Sequence, residues 1–133
     1  MDRELLRWAL DAQKNSYAPY SQKHIGAAML MDNGRIYNGC NVENASYGGT
    51  VCAERVAIFK AISEGAKKIK EVLVVSSEQN PWPPCGFCRQ VMAEFIDSPE
   101  VKIHLCNPQG HGRQLTFGEL FPDSFGPEHL KKT

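Results

Sequence analysis

Three of the five cysteines lie in two short stretches, Thr50-Val51-Cys52-Ala53-Glu54-Arg55 and Pro84-Cys85-Gly86-Phe87-Cys88-Arg89. The sulfurs of a Cys-x-x-Cys pair can come round one tight turn onto a single metal ion, and a thiolate from elsewhere completes a set of three. Three protein ligands leave the fourth tetrahedral position of zinc for water, as in a catalytic site rather than a closed structural one. Glu54 stands two residues after Cys52, and Arg55 and Arg89 each lie beside thiols. Positions i and i+2 do not share a helix face, so Glu54 need not compete for the metal and can move protons instead. Two other readings stay open. Cys85 and Cys88 alone could serve redox chemistry, which leaves Cys52 and Glu54 unexplained. If Cys40 closed the metal sphere, the site would be structural and the protein a binding module.

The whole chain limits what such a site could act on. At 133 residues it makes one domain, 1–133. Its 42% hydrophobic and 23% charged content is ordinary for a globular protein. Basic and acidic residues both total 15, so there is no electrostatic footprint for nucleic acid or an anionic membrane, which favours a small neutral substrate. Met1 to Leu10 carries four charges and no long apolar run, so neither a signal peptide nor a membrane span is expected. The cysteines are then expected to be reduced and the protein cytoplasmic. An odd cysteine count also fits poorly with a full disulfide framework.

The elements that must position the thiols follow from periodicity and turn signals. Asp2 to about Ser16 reads as an amphipathic helix capped by Asp2. Residues 24–31 and 35–42 read as strands joined by a hairpin turn at Asp32-Asn33-Gly34. Gly26 and Gly39, weak points within those strands, mark close backbone approach or bulges. After a polar loop from Glu43 to Gly49, Thr50 is expected to cap a helix over 51–64 that Gly65 closes. Residues 70–76 are apolar on both faces and predict a central strand. A proline-rich loop over 77–84 leads to a third helix from Gly86 to about Asp97, with Phe87, Val91, Met92 and Phe95 on its apolar side. Strands over 101–106 and 113–115 and a helical turn over 116–121 complete a three-layer α/β/α sandwich with a mixed five-stranded sheet. Cys52 and the Cys85–Cys88 pair then open two helices, where unpaired N–H groups and the dipole favour thiolate. Cys40 and Cys106 read as buried small apolar residues, and His24, His104, His111 and His129 lack metal spacing to one another. Trp82 and Phe87 read as packing residues.

The Cys-x-Glu and Pro-Cys-x-x-Cys pattern resembles that of zinc deaminases that act on nucleobases. More specifically, the chain resembles the small cytidine deaminases of pyrimidine salvage, in their three-cysteine, homotetrameric branch. The resemblance runs through Tyr20-Ser21 with Ile25-Gly26-Ala27-Ala28, Asn38 to Gly48, Thr50 to Arg55, Pro84-Cys85-Gly86, Cys88-Arg89-Gln90 and Leu120 to Pro127. It implies one Zn2+ per chain on Cys52, Cys85 and Cys88, with Glu54 as the proton shuttle. It further implies ribose contacts from Asn41 and Glu43 and a substrate loop through Ala45 to Tyr47. Ala53 is implied to meet the substrate, and Phe125 to reach into a neighbouring subunit's site. Arg55 is expected to offset the charge of three thiolates on one dication. The implied reaction turns cytidine and 2′-deoxycytidine into uridine, 2′-deoxyuridine and ammonia, with no nucleic-acid or membrane partner. A deaminase of another cytosine compound, such as a nucleoside antibiotic, an N4-modified nucleoside or a nucleotide, is the alternative. Three positions depart from the family pattern: Lys23 replaces an aromatic residue, Phe87 a small one, and Trp82 adds bulk among prolines. These are either compensated packing or a reshaped pocket in which Lys23 meets a polar or anionic group.

Overall fold

The computed structural model describes residues 3–131. Its elements run α1 (Arg3–Gln13), β1 (Ile25–Met31), β2 (Ile36–Cys40), α2 (Ala53–Ser63), β3 (Ile69–Ser76), α3 (Gly86–Phe95), β4 (Lys102–Cys106), β5 (Gly112–Thr116) and α4 (Phe117–Leu120). The five strands form one sheet in the order β2-β1-β3-β4-β5, so β3 is the centre, as its two apolar faces require. Only the β3–β4 pair is parallel, and α3 makes the crossover between them. The other neighbours are antiparallel. The mixed sheet of the sandwich is thus present. The expected helix cap at Asp2 lies outside the described residues. No described helix is long and apolar enough to cross a membrane.

Alternation along the strands sorts the core into two layers. On one face Leu5 and Ala9 of α1 pack against Ala28, Leu73, Val75 and Cys106. On the other, Ala27, Met29, Val72, Val74, Ile103 and Leu105 meet Ala57, Ile58, Ala61 and Met92 from α2 and α3. Two strand glycines let the helices come this close. A Cβ on Gly26 would fall onto the carbonyl oxygen of Ala9 in α1, and one on Gly39 would stand 2.7 Å from the Ala57 nitrogen in α2. The β1–β2 turn is closed by the Met31 N–H on Arg35 and the Gly34 N–H on Met31, with Gly34 alone at positive φ (+82°). This is the longer hairpin loop with a left-handed glycine, rather than the two-residue turn that needs two such residues.

The two helices that follow the cysteine motifs each begin at a cysteine. The chain stays extended through Val51, because Val42 and Val51 exchange both backbone hydrogen bonds at 2.9 Å. The expected helix start at Val51 and cap at Thr50 are therefore displaced: the N-cap is Cys52, and the Thr50 hydroxyl instead accepts the Asn44 N–H at 3.1 Å. Cys85 is the N-cap of α3. At the far end of α2, Gly65 (φ +101°) closes a Schellman turn, with Ala66 N–H on Ala61 and Gly65 N–H on Ile62. The third helix stops at Phe95, short of Asp97, because Asp97 donates its N–H to the Ile69 carbonyl at 3.1 Å.

Candidate active site

The two N-caps bring the three motif cysteines together. Cys52 Sγ lies 3.8 Å from Cys85 Sγ, which lies 3.5 Å from Cys88 Sγ, and all three sulfurs fall within 4.8 Å of one another. Cys40 stands outside this cluster, and among the described residues no other group of three or more potential ligands converges in this way. Cys106 is buried as expected, but Cys40, on the edge strand β2, is only half-buried, and that partial burial raises its thiol above its ordinary pKa. The cluster is graded from solvent to core: Cys85 is exposed, Cys52 half-buried and Cys88 fully buried. The Cys88 N–H donates to Cys85 Sγ at 3.5 Å, as expected for sulfur at a helix start. Hydrogen bonding from Cys88, then from Arg55 and Cys85, overcomes burial and holds the Cys52 thiol down at about 5. A thiolate is thereby favoured at Cys52, between the exposed and the buried member of the cluster.

Arg55 donates through Nη2 to Cys52 Sγ at 3.6 Å and to the Thr50 carbonyl at 3.4 Å. Phe87 lies flat against it, 4.2 Å from ring centroid to guanidinium carbon. Phe87 is therefore not part of the apolar face of α3. It is 64% exposed and sandwiches a cation that touches sulfur. In the first turn of α2, Glu54 is buried, and desolvation, reinforced by the Cys52 charge, raises its carboxyl to about 7.

Cys52, Ala53, Glu54 and Cys85 form the floor of a cleft of about 310 Å³. Its remaining walls come from Ser21, Lys23 and Ile25 on one side, Asn41, Glu43 and Thr50 on another, and Val74, Trp82 and Pro83 on a third. Asn41 is fixed by its neighbours: Oδ1 accepts Ser16 Oγ at 2.5 Å and the Ile25 N–H at 3.0 Å, and Nδ2 donates to the Lys23 carbonyl at 2.8 Å. Because Ser16 spends its proton on Asn41, the 3.0 Å contact from His24 Nδ1 must carry its hydrogen on the imidazole. Glu43 Oε1 accepts the N–H groups of Tyr20 and Ser21 at 2.9 and 3.2 Å, and Oε2 accepts Ser21 Oγ at 2.5 Å. The Ser21 hydroxyl bond and those two N–H bonds keep the Glu43 carboxyl below its ordinary range. Ser16 and Ser21 were not legible as site residues, since each acts through a partner more than twenty positions away. Only the Tyr-Ser block hinted at Ser21.

Ala45, Tyr47 and Phe125 are not in this cleft. Ala45 is exposed. Tyr47 is 78% exposed and meets Tyr20 edge to face, with centroids 6.3 Å apart. Phe125 is 53% exposed and stacks on His129 at 5.0 Å, its carbonyl taking a hydrogen bond from Gln90 Nε2. Trp82 also departs from the packing role expected of it. It is 45% exposed and lines the cleft. Lys23 meets an anionic group of the protein itself, with Nζ 2.8 Å from Glu78 Oε1. The histidines stay away from the thiols; His104 instead bonds Glu71 at 2.6 Å across β3 and β4.

Three convergent sulfurs suit a thiophilic, tetrahedral dication, so the donor set fits zinc. Two helix N-termini supplying those thiols, with a buried carboxyl in the same cleft, form the arrangement of the zinc-dependent nucleobase deaminases. Residues 1–104 match the family model for the cytidine and deoxycytidylate deaminase zinc-binding region. The chain is 47% identical to a cytidine deaminase of Halalkalibacterium halodurans, over 98% of each chain. A cytidine deaminase of Mycobacterium tuberculosis is 39% identical, over 99% of this chain and 96% of the relative. The crystal structure of the Burkholderia pseudomallei cytidine deaminase superposes with a TM-score of 0.87 at 42% identity, covering 94% of this chain and 99% of that one. The chain belongs to the cytidine deaminase family.

Proposed function

We propose that this protein catalyses the hydrolytic deamination of cytidine and 2′-deoxycytidine to uridine and 2′-deoxyuridine with release of ammonia, as a single catalytic domain over 1–133. The observation that carries the reading is one juxtaposition: three sulfurs within 4.8 Å of one another, with the buried Glu54 carboxyl beside them in a cleft of nucleoside size. Cys52, Cys85 and Cys88 hold one zinc per chain. When bound there, zinc supplies the Lewis acidity that makes a water nucleophilic near neutral pH.

Glu54 manages the protons. It takes one from the attacking water and delivers it to N3 of the pyrimidine, where it remains in the product. As the bond from water oxygen to C4 forms, the second water proton passes through Glu54 to the exocyclic amine. The C4–N4 bond then breaks, ammonia leaves, and the carboxylate is restored. Burial keeps bulk water from short-circuiting these transfers.

Asn41 and Glu43 recognise the sugar. Both lone pairs of Asn41 Oδ1 and one Nδ2 hydrogen are already used within the protein, so a single N–H remains. Glu43 Oε1 is saturated, while Oε2 keeps one open acceptor site. One donor beside one acceptor matches a hydroxyl, which needs one of each. Ala53 contributes to the cleft floor beside the base. Ala45, Tyr47 and Phe125 are exposed and do not line their own cleft, which supports a homotetramer in which they complete the site of a neighbour. Reduced thiols at the metal suit a cytoplasmic enzyme of pyrimidine salvage, and a net charge of zero gives no attraction to nucleic acid. The test is zinc content together with the fall in cytidine absorbance. A zinc-loaded protein that leaves both nucleosides intact would sink the reading.

A further inference from the structure

Trp82 sits on the loop between β3 and α3, three residues before Cys85, and Pro83 and Pro84 lie between them. Two prolines in succession fix φ at both positions, and Pro84 is fully buried. The indole is therefore held at a set distance from the thiol cluster, unlike a side chain on a mobile lid. Further out, the loop is tied down by the Trp82 N–H on Ser76 Oγ at 3.4 Å and by Asn107 Nδ2 on the Gln79 carbonyl at 3.3 Å. A third tie joins the loop to the segment before β1, where Lys23 places Nζ 2.8 Å from Glu78 and 5.9 Å from the Trp82 ring centroid. Despite these fastenings the indole remains 45% exposed and lines the cleft with Val74, Ile25 and Pro83.

A large aromatic held in the wall of a nucleoside-sized cleft, with its surface left open, is an unfilled stacking partner. We infer that Trp82 is the base-stacking, specificity-determining residue of this site, and that the Lys23–Glu78 pair is a clasp positioning the indole for it. The inference rests on the nucleoside reading above. Trp82 meets the substrate, whereas Lys23 and Glu78 act through Trp82. Glu78 offsets the Lys23 charge, so this wall carries no net charge from the pair. The wall therefore suits an uncharged pyrimidine nucleoside.

Two measurements test it, one of them independent of turnover. In the Trp8→Phe protein Trp82 is the sole indole, so its emission reports on the cleft directly. Titration with uridine should quench that emission saturably; an emission unchanged at saturating uridine would overturn the inference. In steady state, Trp82→Ala should raise KM for cytidine by about 5- to 150-fold with kcat little changed, since one base–aromatic contact is lost. Trp82→Phe should recover most of that loss. A Trp82→Ala protein with normal KM, or one that fails by losing zinc, would assign the residue to packing and reject the role. The clasp has its own readout. Lys23 and Glu78 are 38% and 32% exposed, so salt screens the pair. For a neutral substrate, KM should rise with sodium chloride, by up to about five-fold, in the wild type and stay flat in Glu78→Gln. The same salt response in both proteins would remove the clasp. If wild-type protein binds uridine with quenching but does not deaminate cytidine, the proposed reaction fails while the stacking role stands.

Discussion

The floor of the cleft and its walls are built differently. The floor is made of helix starts: Cys52 and Cys85 are N-caps, and Ala53 and Glu54 belong to the first turn of α2, all set by the packing of α2 and α3 on the sheet. The walls are mostly loops, and the polar groups proposed for recognition are held one side chain at a time, Asn41 by Ser16 and Ile25, Glu43 by Tyr20 and Ser21. Chemistry that tolerates little misplacement sits where backbone geometry leaves little freedom, while substrate selection sits where single substitutions can retune it. Damage to the floor should therefore be all-or-none, and damage to the walls graded.

The harshest test of that contrast is Cys88→Ala. Cys88 is fully buried and is the inner member of the cluster. Its loss should abolish zinc binding and deamination together; zinc retained at one per chain would show that the sulfurs do not act as a set. Next in size is Glu54→Gln, which keeps a similar shape but removes the proposed proton carrier. It should keep zinc and uridine binding while kcat falls by about 10²- to 10⁴-fold. Near-normal turnover would take Glu54 out of the mechanism.

Arg55 lies behind the floor, where its guanidinium touches the Cys52 sulfur, the Thr50 carbonyl and the Phe87 ring. Three thiolates on a dication carry a net charge of about −1, which weakens its Lewis acidity. The Nη2 contact to Cys52 opposes that charge, and the Phe87 ring holds the guanidinium in place. By analogy with other groups bonded to metal ligands, Arg55→Met should reduce zinc affinity or kcat by about 10- to 100-fold. Unchanged values in both assays would leave Arg55 a mere tie to the Thr50 carbonyl.

The same division decides what could be read from the sequence. The floor was legible because Cys52 and Glu54 share one short stretch, Cys85 and Cys88 another, both expected at helix starts, and the family resemblance joined the two stretches into one zinc site. The central strand and the close-approach glycines were legible for a similar local reason. The walls were not. Pairing of Val42 with Val51 overrode the local signal for a helix cap at Thr50. Helical spacing put Phe87 in the core, yet the first turn of α3 projects it onto Arg55. Lys23 precedes β1, whereas Glu78 and Trp82 share the loop after β3, and the two segments become neighbours only through the β1–β3 pairing beneath them.

Asn41 tests whether the walls are indeed graded. Replacing it by Ala leaves the Ile25 N–H and the Lys23 carbonyl without their partner in a buried setting. An unsatisfied buried group costs about 1–3 kcal/mol. The variant should still fold and bind zinc, with a lowered Tm and a raised KM for cytidine. A loss of zinc on the scale of Cys88→Ala would erase the distinction between floor and walls.

The smallest expected effect concerns Glu43 and pH. Its bonds from the Ser21 hydroxyl and the Tyr20 and Ser21 N–H groups favour the ionised carboxylate, so its folded pKa lies below the unfolded value. A depressed carboxyl stabilises the native state above its unfolded pKa, and that contribution disappears as pH falls through the lower folded value. Glu43→Gln has no proton to gain, so the Tm difference between wild type and variant isolates this one group. The wild type should melt slightly higher at neutral pH, and the gap should close on acidification below the ordinary carboxylate range. Glu43 faces solvent, so the gap should be modest and should shrink in high salt. Chelated samples of both proteins remove the metal from the comparison, since thiolate protonation would otherwise release zinc in the same direction. A gap that persists through the acid range, or widens there, would mean that the bonds to Tyr20 and Ser21 do not hold Glu43 as a carboxylate.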